Sequence, residues 1–497
     1  MATIITATLM VVAPMARPMM NLENVFCRLN AIRRAMKTDT FNGIFLYLTN
    51  VFYLDVMIND KLLHFQPVPV KKMTRLLLCL CLFCLPHITK AQLPDWVYKS
   101  NIQSVRFHMY GNQLSLPVYN MNSGDQVELH FDDMDADLKS YYYCLQLCDY
   151  DWKPLDLSPF LYTKGFTQTR VSTYRYSSIA LTRYTHYSAI LPDRGTTLTM
   201  SGNYLLKVYL DGDTSKLVFT RRLLVLEPRA AIKAQVLQPF SPQVARTHQK
   251  IAFTANITGI NSFSAAQQVK VVILQNNRWD NSQRDIVPAF VRGNLLDYSS
   301  ENSAIFPGGK EWRWLDLRSF RLQSDKVDSA RYNKASTDIY LRTDRDLSAQ
   351  RYVYFKDYNG MYMVETYETI NPYSQGDYAT VYFSLAGSNG KEYPNKDIYL
   401  NGQLTGYEFN DKTRMKFNAE KGVYECTAYL KQGYYNYTYV AVDRNNPDNR
   451  TDLEGNYWET ENNYTILMYY KSFTDRADRL IGVGSINSRT DRPGISF

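Results

Sequence analysis

The sequence predicts an all-β protein: three consecutive β-sandwich domains of immunoglobulin-like type behind a secretory signal peptide. Three observations carry this. Short strand patterns recur at regular spacing from Ile102 onward, with Gly, Asn and Asp turn signals between them. The chain holds 40 Tyr in 497 residues, and Tyr is a strand former with an apolar body and a polar tip. A short apolar run with charge on one side precedes the first strand.

That run begins at Met73. Arg75 is its positive start, with Lys71 and Lys72 just upstream, and Leu76 to Leu85 is its apolar centre. Pro86 breaks it, and Ala91 supplies a small residue for cleavage before Gln92. It is too short to span a bilayer, which takes about 20 apolar residues. Residues 73–91 are therefore read as a signal peptide, and residues 1–72 as an upstream extension from a misassigned gene start. A lipid anchor does not fit, because Cys79, Cys81 and Cys84 each follow a bulky residue. The apolar stretch 41–54 is interrupted by two Asn and is not read as an anchor.

Cleavage changes the composition. Residues 1–91 carry 10 Lys/Arg and 4 Asp/Glu; taken from 56 and 48, they leave 46 and 44, a net charge of +2. No nucleic-acid footprint remains. Of seven Cys, only Cys144, Cys148 and Cys426 remain, which is no disulfide framework for an exported chain of this size.

The elements follow in order. Ile102–Tyr110, Val127–Phe131, Tyr141–Cys148 and Tyr184–Leu191 read as strands. Asn203–Leu210 and Leu217–Val225 form the firmest hairpin, turned at Asp211-Gly212-Asp213, with Tyr204, Leu206, Val208 and Leu210 on one face. These make an N-terminal sandwich over 93–227, and Glu227-Pro228 is a linker. A second sandwich with long loops spans 228–350, with strands at Ile251–Ile257 and Val269–Gln275 and weaker periodicity across Asn276–Ser348. A third spans 351–474, with Tyr378–Leu385, Ile398–Leu400, Gly422–Leu430, Tyr434–Val442 and Tyr464–Tyr470. Residues 475–497 read as a polar tail. No helix of normal length is expected after Gln92.

Few residues invite chemistry. His108, His130, His186 and His248 lie in no catalytic motif and at no metal-ligand spacing. His186, in Y-T-H-Y, is read as a structural hydrogen-bonding group. Asp132, Asp133, Asp135 and Asp137 cluster in F-D-D-M-D-A-D. They lack the glycine and closing Glu of an EF-hand, so a solvated turn is preferred to a calcium loop. Cys144 and Cys148 share a strand face about 13 Å apart and cannot pair. Trp152 reads as the cap of the first sandwich core, and Ser201-Gly202-Asn203 as a tight turn. Tyr184 and Tyr187 fall on opposite faces of one strand, so one can be core and the other exposed. No residue is assigned a catalytic, cofactor-binding or metal-binding role.

A resemblance runs through these same segments. Y-Y-Y-C-L-Q-L-C-D-Y-D-W (Tyr141–Trp152), Tyr162, Gly165-Phe166, S-S-I-A-L-T-R-Y-T-H-Y (Ser177–Tyr187) and Leu191-Pro192 lead into S-G-N-Y-L-L-K-V-Y (Ser201–Tyr209) and T-R-R-L-L-V (Thr220–Val225). Together they resemble the N-terminal domain of the type IX secretion system plug protein family. G-V-Y-E-C (Gly422–Cys426), K-Q-G-Y-Y-N-Y-T-Y (Lys431–Tyr439), L-E-G-N-Y-W-E-T-E-N-N-Y (Leu453–Tyr464) and D-R-L-I-G (Asp478–Gly482) extend the likeness over most of 100–483. The chain departs from it at Cys144 and Leu147, where a more polar strand and a His are expected.

The resemblance implies a non-enzymatic periplasmic protein at the inner face of the outer membrane. Its implied partner is the large outer-membrane β-barrel translocon of type IX secretion, whose pore it occludes, with no cofactor, no nucleic acid and no insertion into the membrane. The rival reading is an exported glycan-binding sandwich. It rests on Asp397–Leu400, Asn401-Gly402 and on Tyr434, Tyr437, Tyr439, Trp458 and Tyr464 as stacking platforms. A hydrolase would need a carboxylate pair, and no pair stands out among 44 acids.

Overall fold

The pleat of β-structure explains the first sandwich. In Val127-Glu128-Leu129-His130-Phe131-Asp132, apolar and polar residues alternate, so one face can be core and the other polar. The computed structural model describes residues 93–121, 123–257, 260 and 265–491. The expected signal peptide and upstream extension lie outside the described residues.

Eleven strands build the first sandwich. They are β1 (Ile102–Met109), β2 (Val118–Asn120), β3 (Val127–Asp133), β4 (Tyr141–Cys148), β5 (Thr163–Gly165) and β6 (Gln168–Arg170), followed by β7 (Thr173–Tyr176), β8 (Thr185–Leu191), β9 (Thr196–Leu198), β10 (Gly202–Leu210) and β11 (Leu217–Leu226). One sheet runs β1-β3-β8-β7, the other β2-β11-β10-β4-β6, and β5 pairs β9 as a small ribbon. Val127, Leu129 and Phe131 of one sheet meet Leu145, Leu147, Tyr204, Leu206 and Val208 of the other in a single core. The β10–β11 hairpin forms as its alternation predicts.

The second sandwich is assembled from two distant parts of the chain. Its local strands are β12 (Ala231–Leu237), β13 (His248–Asn256), β14 (Val269–Gln275), β15 (Gln283–Arg284), β16 (Phe290–Arg292), β17 (Leu295–Tyr298) and β18 (Ile305–Pro307), with the one-turn helix α1 (Ala265–Gln268). One sheet is β12-β13-β17-β16 with β18 on β13. The other is β15-β14-β29-β30, where β29 (Asn463–Tyr470) and β30 (Arg479–Asn487) come from the chain's C-terminal end.

The third sandwich lies between these parts in sequence. It holds β19 (Arg313–Asp316), β20 (Val327–Tyr332), β21 (Thr337–Leu341), β22 (Tyr362–Val364), α2 (Pro372–Gln375), β23 (Tyr378–Ala386), β24 (Lys396–Asn401), β25 (Lys416–Asn418), β26 (Val423–Lys431), β27 (Gly433–Asp443) and β28 (Arg450–Asp452). Strand β27 is its hub: it pairs β19 and β22 through its first half and β24 and β28 through its second. The facing sheet is β20-β21-β23-β26-β25.

The all-β reading holds: among the described residues the α-helices are the two four-residue turns α1 and α2. None is long and apolar enough to cross a membrane. Two expected boundaries fall elsewhere. The break at 350/351 lies inside the third sandwich, because β19 pairs β27 and β20 joins β21, which pairs β23. The break at 474/475 lies inside the second, because the expected polar tail contains β30, which pairs β29 and buries Leu480 and Ile481. Asn276–Ser348 is polar because its strands are short and their ends exposed, which hides the period-2 signal.

The sandwiches pack into one compact unit. Between the first and second lie Trp152, Leu224, Val272, Leu274, Leu467, Tyr469 and Leu480. Trp152 therefore caps no core of its own sandwich. It meets Trp279 edge-to-face at 5.0 Å, with the Arg222 guanidinium 5.1 and 4.8 Å from the two rings. Gly202 and Asn203 are strand, not turn. At φ 138° a Cβ on Gly202 would stand 2.7 Å from the Asp478 carbonyl, so glycine permits the close approach of the C-terminal segment.

Ending the chain after Lys471 should remove β30 and strip Leu480 and Ile481 from the second sandwich. The expected loss exceeds about 5 kcal/mol, the scale of a whole domain's stability. Urea unfolding followed by circular dichroism reads it; an unchanged midpoint would show the tail to be dispensable.

Candidate functional site

Polar residues at alternate positions of a strand usually face water. Here Glu128, His130 and Asp132 of β3 stand with Arg106 and His108 of β1 and His186 of β8, and the third sandwich covers them. The register puts His108 beside Glu128, Arg106 beside His130, and Asp132 beside His186. Arg106, His108, Asp132 and His186 are all buried.

The cover comes from α2, β23 and β26. The Tyr373 ring stacks on His130 at 3.9 Å between centroids, 4° from parallel. Lys431 Nζ and the Tyr378 hydroxyl each donate to Asp132 Oδ2 at 2.5 Å. His186 Nδ1 reaches Asp132 Oδ1 at 2.7 Å, and His186 Nε2 lies 3.1 Å from His130 Nδ1. Lys431 also donates to the Tyr373 carbonyl and sits 4.2 Å from the Tyr184 ring centroid. The Tyr184 hydroxyl donates to the Gly376 carbonyl at 2.7 Å.

More contacts tie the same two sandwiches. Asp377 accepts from the backbone amides of Leu181 and Thr182, each at 3.0 Å. The Gln113 side chain bonds both the N–H and C=O of Val364, as a strand neighbour would. Arg106 donates to Gln403 Oε1 at 2.6 Å and lies over Tyr362.

Burial sets the charge states. It would raise Asp132, but the Lys431 charge and the His186 hydrogen bond hold the carboxyl below its ordinary value. Burial pulls His108 down to about 4 and also lowers His186, against the pull of Asp132. Glu128 is held below its ordinary value: burial opposes this, but the neighbouring His130 and the hydrogen bond from the Gly111 amide outweigh it. Burial lowers Lys431 as well, against the pull of the Asp132 charge, so the pair holds together a carboxylate favoured in its charged form and a lysine that depends on it, beside a His108 kept uncharged at neutral pH.

Of the four histidines among the described residues, the structure gathers three and leaves His248 in the second sandwich. His186 has the hydrogen-bonding role expected of it. The four aspartates divide by strand face. Asp132 joins the histidines, while Asp133, Asp135 and Asp137 converge on Lys139, with Nζ contacts of 2.8 Å to Asp133 and 3.1 Å to Asp137. A lysine ammonium therefore holds the place a calcium ion would take. Asp133 is fully buried, so the expected solvated turn is solvated only at its outer acids.

Tyr187 is core, and Tyr184, expected to be exposed if Tyr187 is core, is buried under the third sandwich. Cys148 is buried, Cys144 half-buried, and neither forms a disulfide. Burial pushes the thiols of Cys148 and Cys426 up to about 12. Of the aromatics expected as sugar platforms, Tyr437, Tyr439 and Tyr464 are fully buried core. An open groove of about 290 Å³ beside Asp397 is lined by Glu392, Arg414 and Arg444, with Arg444 paired to both acids.

Sequence spacing missed this centre because its groups meet across strands and across sandwiches. The alternation in 127–132 signals a polar face, but nothing local says that 431 and 378 cover it.

Comparison with known proteins adds the following. Residues 102–227, which contain β1–β11, match the family model described as the type 9 secretion system plug protein 1st domain. A crystal structure of a hypothetical protein from Parabacteroides merdae superposes with a TM-score of 0.76 at 29% sequence identity. The match covers 80% of this chain and 100% of that one. No curated protein matches.

Lys431→Met leaves the Asp132 carboxylate buried without its counter-charge. It should cost about 3–5 kcal/mol, the usual penalty for breaking a buried pair. Adding Asp132→Asn should recover part of that loss, since the uncompensated charge goes. Equilibrium urea unfolding of the single and double variants checks it; additive losses would mean the pair is not coupled.

Proposed function

The chain belongs to the type IX secretion system plug protein family through its first domain, and on that premise we propose that it closes the pore of the system's outer-membrane translocon from the periplasmic side. Family membership associates it with the type IX secretion machinery and the cell envelope. The single observation carrying the finer reading is the family match over the whole first sandwich.

The physical argument concerns shape. A pore wide enough for folded cargo would leak small solutes, and closing it needs a folded body rather than a reaction. Three sandwiches with buried contacts between them supply such a body. A plug must also leave, so its docking surface is a non-obligate one, polar overall with aromatic anchors. The first sandwich offers aromatic anchors at Phe160, on the short 3-10 turn 159–161, and Phe166, both exposed, with exposed Leu161 beside Phe160. The action is non-enzymatic on this reading, and the buried His–Asp–Lys centre serves cohesion.

Deleting the gene should make the outer membrane more permeable to small hydrophilic antibiotics, and only while the translocon is present. Antibiotic uptake in single and double deletion strains measures this. A single deletion no leakier than the strain lacking both would contradict the reading.

A further inference from the structure

The hydrogen bonds of the covered face fix where its protons sit. Ionised Asp132 accepts at Oδ1, so His186 carries its proton on Nδ1 and its Nε2 is a lone pair. That lone pair lies 3.1 Å from His130 Nδ1, so His130 donates there, and in the neutral ring its own Nε2 is then a lone pair. His130 Nε2 is buried and has no hydrogen-bond partner. It faces Glu128 Oε2 at 3.4 Å, acceptor against acceptor. The other oxygen, Glu128 Oε1, accepts from the Gly111 amide at 3.0 Å and lies 3.5 Å from His108 Nδ1.

Two imidazoles and a carboxylate thus converge, with one ligand atom of each within 4.8 Å of the others. A tetrahedral ion with bonds of about 2.0–2.1 Å separates its ligand atoms by about 3.4 Å. Each imidazole nitrogen lies at about that distance from one carboxylate oxygen, His130 Nε2 at 3.4 Å from Oε2 and His108 Nδ1 at 3.5 Å from Oε1, so one Glu128 oxygen must turn toward an ion held by both rings. We propose that His108 Nδ1, Glu128 and His130 Nε2 bind a divalent cation of the zinc class, with the remaining position open to water.

The donor set is imidazole and carboxylate, which suits zinc and its transition-metal neighbours over calcium. To present Nδ1, His108 holds its proton on Nε2, 3.3 Å from the Tyr373 hydroxyl, and gives up the 3.0 Å contact with the Met109 carbonyl. The Asp132–His186–His130 chain is the outer shell that orients a ligating imidazole and raises its basicity. Arg106 on the same face opposes a further positive charge, but is engaged by Gln403 and the Gln113 carbonyl. Glu128 and His130 keep side-chain exposures of 16% and 13%, which leaves an entry path beside the third sandwich. The competing occupant is a proton shared between His130 and Glu128, and it needs no metal.

The test uses the full exported chain, stripped with a chelator and titrated with Zn²⁺ by calorimetry. One equivalent should bind. Glu128→Gln, which keeps shape and fold, and His130→Ala should each weaken binding about tenfold or more, while His248→Ala should not. Co²⁺ should give visible absorption bands of a four- or five-coordinate site that Glu128→Gln removes. Substoichiometric Zn²⁺, or binding unchanged in Glu128→Gln, would overturn the site and favour the shared proton. These readouts are independent of pore closure.

Discussion

A carboxylate cut off from water must find partners or lose its charge, and Asp132 finds them on two sandwiches at once. His186 belongs to the first; Lys431 and Tyr378 belong to the third, 299 and 246 residues along the chain. The desolvation of such a pair is worth several kcal/mol per ion and is offset only by close geometry and full hydrogen bonding. Three donors around one carboxylate supply both. The arrangement also pins register. A one-residue slip of β3 would bring Phe131 or Asp133 to the interface and turn Asp132 into the core.

The two interfaces of the first sandwich are built differently. Toward the second sandwich the contact is apolar and aromatic, with Trp152 and Trp279 under the Arg222 guanidinium and Tyr469 donating to Asn203 at 2.8 Å. Burial of that kind tolerates small shifts. Toward the third sandwich it is polar, stacked and hydrogen-bonded, and it accepts one arrangement. Together they hold the first sandwich, the part that carries the family match, against both neighbours.

Much of this was legible in the chain. The pleat alternation in β3, the β10–β11 hairpin with its Asp-Gly-Asp turn, and the strands 141–148 and 269–275 follow from side-chain period and turn chemistry. What escaped has a common cause. Pairing of β14 with β29, burial of Tyr184, and the meeting of His108 with Glu128 are long-range facts, and period-2 reading is local. Trp152, expected to cap the first sandwich core, is buried between two sandwiches instead. The tail after 474 reads as polar, yet Leu480 and Ile481 are buried in a strand that closes the second sandwich. The family match over 102–227 associates the chain with type IX secretion, but says nothing of the covered histidine face.

Native-state hydrogen exchange tests most directly whether the first and third sandwiches behave as one body. Amides of β3 and β8 on one side, and of β26 and β27 on the other, should open with a common free energy, and Lys431→Met should lower both together. Exchange of β3 and β8 at a free energy of their own, unmoved by Lys431→Met, would contradict the account.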